Sequence, residues 1–133
     1  MDADVLASHI KKRTEDGAKV AVVDVRDDDY EGGHIKGAVH APSSTFLDRV
    51  NSLLKPLEPY EQVVFHCSLS QQRGPKAARI YREIRDAAVD AGRLPPTSQQ
   101  VFVLRDGFSN FGPMFKNDRE LVEDWDEEAW QFR

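Results

Sequence analysis

Gln62-Val63-Val64-Phe65-His66-Cys67-Ser68-Leu69-Ser70-Gln71-Gln72-Arg73-Gly74-Pro75 changes character twice along its length. An apolar, β-branched run ends at His66, a short polar loop follows, and Gly74-Pro75 opens a segment with helical spacing. The stretch reads as strand, tight loop and helix start, with proline in the first helical turn, where its missing N–H is no loss. Cys67 is the single cysteine among 133 residues. A core cysteine belongs inside a strand and needs no arginine near it. A thiol at a strand exit, sharing its loop with Arg73, instead fits a nucleophile beside an anion cradle.

Outward from this stretch the same alternation repeats. Lys19-Val20-Ala21-Val22-Val23-Asp24-Val25 is continuously apolar up to its aspartate, as expected of a parallel strand covered on both faces. Val101-Phe102-Val103-Leu104 is a third strand of this kind, and Ala38-Val39-His40-Ala41 a short one stopped by Pro42. Between them the spacing predicts a helix over Asp4–Glu15, closed by Gly17, and a second capped by Ser43-Ser44 and running to Pro56. A long third helix is expected from Pro75 to about Ala91, with Gly92 behind it. Arg26–Gly33 reads as a loop or ragged helical turn, and Arg105–Phe108 as a turn. The tail 118–131 reads as a helix whose stripe is Leu121, Val122, Trp125 and Trp130. Strands alternating with helices predict one α/β domain over residues 1–133, a mainly parallel sheet with helices on both faces. In such sheets the crevice lies beyond the carboxyl ends of the strands. Asp24–Asp29, Cys67–Arg73 and Arg105–Phe108 are expected to meet there.

Bulk properties narrow the function. A lone cysteine forms no internal disulfide, which fits a reducing, cytoplasmic or nuclear location. No apolar stretch approaches the roughly 20 residues of a membrane span, and the acidic start Met1-Asp2-Ala3-Asp4 is unlike a signal peptide. A net charge of −5 argues against a nucleic-acid partner. Lys76, Arg79, Arg82 and Arg85 fall on one side of the third helix, first of all a solvated face; Lys76 and Arg79 lie nearest the loop and would help draw in an anion. His9, His34, His40 and His66 show no ligand spacing, so no metal is expected.

A free thiol titrates near 8.5, so a nucleophilic cysteine at neutral pH needs support. Three sources are at hand: inward amides of a tight loop, the positive end of the following helix, and the permanent charge of Arg73. The same field would bind a tetrahedral oxyanion. His66 would tune the thiol by hydrogen bonding or sit satisfied in the core. The implied reaction is attack by Cys67 on the central atom of an oxyanion, giving a thiol adduct.

His-Cys, five residues, then Arg-Gly-Pro resembles the active-site signature of the cell-division-cycle type dual-specificity phosphatases and of the arsenate reductases of the same lineage. Around it, Val23-Asp24-Val25-Arg26, Gly33-His34-Ile35-Lys36-Gly37-Ala38 and Val103-Leu104-Arg105-Asp106-Gly107-Phe108 are similar to the landmarks of a rhodanese-like domain, in family order over about residues 5–115. The resemblance implies a rhodanese-like three-layer domain, Cys67 as nucleophile, Arg73 as phosphate-binding arginine and the backbone of Ser68, Leu69, Ser70, Gln71 and Gln72 as cradle. Its five-residue spacer is one longer than in most of the sulfurtransferases, which disfavours sulfur transfer. The substrate implied is a phosphorylated protein or small phosphoester, cleaved without a cofactor through a phosphocysteine. Arsenate is the alternative, with glutathione or glutaredoxin as external reductant, and a silent anion-binding module a third possibility.

Two departures matter. Where the phosphatase loop carries acids after the cysteine and before the arginine, this chain has Ser68 and Gln72, and an amide donates no acidic proton. A general acid would have to come from Asp106, or from Asp27, Asp28, Asp29 or Glu31, each of which reads first as a loop carboxylate in water. Asp24 reads as a brace for the fold.

Overall fold

The computed structural model describes residues 1–16 and 19–131. Four parallel strands form the central sheet in the order β3-β1-β4-β5, where β1 is Val20–Asp24, β3 Val39–His40, β4 Gln62–His66 and β5 Gln100–Val103. The register of β1 against β4 runs from Val20–Gln62 to Asp24–His66, so both strands end at one level and their carboxyl ends form a common rim.

Alternation along each strand divides the core in two. Ala21, Val23, Val63 and Phe65 point to one face, where α2 (Phe46–Leu57) and α3 (Arg73–Asp90) bury Val50, Leu53, Leu54, Leu57, Ala77 and Tyr81. Val20, Val22 and Val64 point to the other, against Leu6 and Ile10 of α1 (Ala3–Asp16) and Phe108 and Phe111 of α4 (Gly107–Phe115). The continuous apolarity of the strands thus reflects two covered faces, each reached at period two.

The first three expected helices and the four expected sheet strands are present, and their ends differ for local reasons. The second helix starts at Phe46, after a 3-10 turn over Ser43–Thr45, and includes Pro56 in its last turn. The expected closing role of Gly17 lies outside the described residues. Gly92 follows the third helix with φ 76°, a left-handed conformation suited to glycine. Arg85, expected on a solvated face, is buried with its guanidinium on Thr97 Oγ1, while Arg82 bonds the carbonyl of Val101 at 3.3 Å.

The larger corrections concern the ends of the sheet. Gly107–Phe115, expected only to begin as a turn, is a helix despite Gly112 and Pro113. The expected helix over 118–131 is instead a strand β6 (Val122–Glu123) and a single helical turn α5 (Glu127–Trp130). β6 pairs antiparallel with β2 (His34–Ile35), Ile35 opposite Val122. Leu121 and Val122 are buried as expected of an apolar stripe, but pairing with a distant segment outweighs the local helical spacing.

Candidate active site

The site is assembled where β1 and β4 end. Val25 N–H donates to His66 O at 2.9 Å and Leu104 N–H to Phe65 O at 2.9 Å, extending the sheet pairing to the edge of the loop. Beyond His66 the chain turns through Cys67–Gln72 and enters α3 at Arg73, two residues earlier than expected. Gly74 lets that helix approach the strand: a Cβ there would lie 3.3 Å from His66 Cα.

From the opposite side, α4 supports the loop with its first amides. Phe108 N–H donates to Cys67 O at 3.0 Å and Ser109 N–H to Ser68 O at 2.9 Å, which satisfies two helix-terminal donors. Gly107 stands against the loop at φ 60°, and a Cβ on it would lie 2.3 Å from Ser68 O. Only glycine fits this approach.

Within the loop, Ser70 takes a left-handed conformation with φ 57°, and its N–H donates to Cys67 Sγ at 3.2 Å. Cys67 is 3% exposed and is one of the buried residues of the core on the α2–α3 side, and its sulfur accepts from the loop at Ser70 N–H. Among the described residues, the amides of Ser68, Leu69, Gln71, Gln72 and Arg73 donate to no protein acceptor. They cluster at the start of an 18-residue helix, where anions are favoured by both free donors and the helix dipole.

Arg73 does not stand free. Its Nη1 and Nη2 donate to Asp29 Oδ1 and Oδ2 at 3.0 and 2.6 Å, a two-bonded clasp, and Nη1 also reaches Asp27 Oδ2 at 3.2 Å. Asp29 further accepts from the Ser68 hydroxyl and from Asp27 N–H, the latter at 2.9 Å. Asp27 accepts from the Ser43 hydroxyl and from Ser44 N–H. Burial alone would raise the carboxyl pKa of Asp29; hydrogen bonds from Arg73 and Ser68 outweigh it and hold the group well below the usual carboxylate range. The bonds that Arg73 donates, above all those to Asp29, raise its pKa further, and the sulfur of Cys67 lies within electrostatic reach of it.

A buried ion pair sets this arrangement. Asp24 and Arg26, 0% and 1% exposed, meet with Arg26 Nε 3.0 Å from Asp24 Oδ1 and Nη2 2.7 Å from Oδ2. The guanidinium lies over the Phe108 ring at 4.2 Å and donates to the carbonyls of Asp29 and Gly33. Desolvation would raise the pKa of Asp24, yet it is lowered; we assign this to Arg26, because His66 is itself driven neutral by burial and brings little charge. Asp24 is the expected brace. Arg26, read only as a charged loop residue, is its partner and fixes the backbone that carries Asp29.

The other sequence candidates separate. His66 is fully buried; its Nδ1–H donates to Cys67 O at 3.1 Å, which leaves Nε2 without a hydrogen bond, 3.7 Å from Asp24 Oδ2. It is a core histidine beside the loop, with no bond to the sulfur. Asp106 has its backbone at the rim, but its side chain is exposed and lines a surface depression with Asp2, Asp4 and Asn110. Of the acids after β1, Asp27 and Asp29 bond Arg73, and Asp27 also lines, with Asp28 and Glu31, the open depression around Tyr30 and His40. Lys76 lines a depression with Arg73, Phe46 and Ile80.

The rhodanese-like domain family matches residues 6–113, a span that contains Asp24, Arg26, Asp27, Asp29, the Cys67 loop and Arg73. The chain belongs to that family. Among its relatives, the dual specificity phosphatase ibp1 of Schizosaccharomyces pombe is 36% identical over 115 residues, covering 79% of this chain and 83% of the relative. Arsenate reductase 2.2 of Oryza sativa is 35% identical over 95 residues, covering 70% and 69%. A solved yeast protein described as a protein tyrosine phosphatase of the rhodanese family, Ygr203w, superposes with a TM-score of 0.81 at 30% identity, covering 98% of this chain and 94% of the other. The fold and the relatives agree with the expected rhodanese-like family and with its phosphatase and arsenate reductase members.

Proposed function

We propose that this rhodanese-like domain is a cysteine-dependent phosphatase that hydrolyses phosphomonoesters of the protein tyrosine or dual-specificity type. The observation that carries the reading is the loop itself. Cys67 Sγ is held at the strand exit by the N–H of Ser70, the amides of Ser68, Leu69, Gln71 and Gln72 have no protein acceptor among the described residues, and Arg73 opens the following helix. Phosphate oxygens fit such donors, and a thiolate at their centre is placed for in-line attack. In the first step the S–P bond forms as the ester P–O bond breaks, and the leaving oxygen takes a proton from water. In the second, water attacks phosphorus, the S–P bond breaks and phosphate and thiolate are released.

With Ser68 and Gln72 in place of acids, and with Asp27 and Asp29 held ionised, neither the loop nor the two carboxylates on Arg73 would protonate the leaving group. The enzyme is therefore expected to prefer good leaving groups. Purified protein should turn over p-nitrophenyl phosphate, and Cys67→Ser should abolish the activity; Arg73→Ala should reduce it by about 10²–10³-fold. Activity surviving in Cys67→Ser would end this reading.

The 35% identity to a rice arsenate reductase supports a second reading in which the same cradle takes arsenate. Attack by Cys67 would then form an S–As bond as one As–O bond breaks and its oxygen leaves as water, giving a thiol–arsenate adduct. As the chain has no second cysteine, an external thiol such as glutathione would supply the reducing electrons.

A further inference from the structure

The strongest feature outside the predicted loop is the acidic clasp on Arg73. A guanidinium offers five N–H donors in a rigid fork. Here two point at both oxygens of Asp29 and Nη1 also serves Asp27, so the end fork is filled by carboxylate. These three side chains alone carry one net negative charge. They are also about one-third exposed, so the contact faces water on one side.

We infer that Asp29 is a resident anion in the oxyanion site: its carboxylate occupies the guanidinium fork that a phosphate must displace, and it thereby sets the affinity of the cradle for tetrahedral anions. The inference rests on the reading of Arg73 as the oxyanion-binding group. Three features fit Asp29 to this role. Its backbone is fixed, because its carbonyl accepts from buried Arg26 at 3.1 Å. Its side chain has solvent to turn into. Its remaining partners, the Ser68 hydroxyl and Asp27 N–H, are neutral donors and hold it more weakly than a charged donor would.

The chemical consequence concerns product as much as substrate. An enzyme whose last step leaves inorganic phosphate in a cradle of amides and arginine risks holding it. A carboxylate that returns to the fork competes with phosphate and hastens its departure, at the expense of substrate affinity. Weakly charged anions would not displace it; a phosphate dianion, with charge on three oxygens, has the stronger claim on the fork. Asp27 differs: its bonds from Ser43 and Ser44 occupy it elsewhere, and it makes a single, longer contact to Arg73.

Calorimetric titration with inorganic phosphate tests this directly. Asp29→Asn keeps the shape and the Ser68 contact but removes the competing charge, and is expected to tighten phosphate binding by about tenfold. KM for p-nitrophenyl phosphate should fall in parallel, with no rise in kcat. If Asp29 instead merely holds Arg73 in place, the same substitution leaves phosphate binding unchanged or weakens it, and the inference is overturned. Ser68→Ala, which removes one tether of Asp29, decides the matter if Asp29→Asn does not fold: a smaller tightening supports the inference and a weakening overturns it. Because binding is read without turnover, the outcomes separate. Tighter phosphate in a protein that hydrolyses nothing would reject the phosphatase reading alone; normal hydrolysis with unchanged phosphate binding would reject only the role of Asp29.

Discussion

Asp24 and Arg26 show how a charge buried for structural reasons positions residues for chemistry. Neither side chain contacts the crevice, yet Arg26 bonds the carbonyl of Asp29 and so determines where the carboxylate clasping Arg73 can reach. Removing one member of a buried pair leaves the other uncompensated, which costs more than the pair itself contributes. Arg26→Leu is therefore expected to destabilise the protein by about 3–5 kcal/mol, read as a lower denaturant midpoint, and the double change Asp24→Asn with Arg26→Leu to recover part of the loss. An unchanged midpoint in the single variant would contradict the assignment. At this scale the grouping of Cys67, Arg73 and the loop backbone between them was legible because they lie together in sequence. Asp29 was not: it stands 44 positions from Arg73, as one of several loop carboxylates, and nothing local distinguishes it from Asp28. The buried state of Arg26 was equally hidden, although its place directly after a strand aspartate is a signal that a paired reading would have caught.

The elements that carry the site follow from simple patterns, and the misread ones from conflicts between patterns. β1, β4 and β5 are continuous apolar runs, and their division between two cores confirms the parallel sheet that such runs imply. α4 escaped notice because Gly107, Gly112 and Pro113 mark a turn by propensity. Tertiary contacts account for two of these residues: Gly107 must sit against Ser68 O, and a Cβ on Gly112 would meet the Phe108 ring at 2.7 Å. The tail misled in the opposite way. Leu121, Val122 and Trp125 satisfy a helical stripe, yet the same residues also serve a strand and a packed aromatic group. Trp125 stacks on Trp130 with ring centroids 4.6 Å apart, and Trp130 Nε1–H donates to Gly32 O at 3.0 Å. A strand of two residues, whose partners stand 87 positions (Ile35 to Val122) and 89 positions (His34 to Glu123) earlier, leaves no periodic trace in the sequence.

For the molecule as a whole, burial of ionisable groups makes stability depend on pH. His66 is desolvated, which lowers its pKa below 6.5; the folded state therefore resists a proton that the unfolded chain accepts. Stability should fall as pH drops through about 6.5. Asp24, Asp27 and Asp29 titrate below 3.8 when folded, so their contribution is present above that value and is lost as pH falls through the folded pKa of each. Urea midpoints measured from pH 8 to pH 3 should thus decline in two stages, and a flat profile from pH 7 to pH 5 would contradict the neutral, buried His66. The same fold gathers the Cys67 loop, the Arg73 helix and the Asp29 turn at one rim, and the central claim is that the sulfur there takes phosphate from an ester. Acid quench of the protein during turnover of p-nitrophenyl phosphate, followed by peptide mass analysis, measures that step. The account predicts one phosphate on the peptide that contains Cys67, absent in Cys67→Ser. Hydrolysis that proceeds with that peptide unmodified throughout would contradict it.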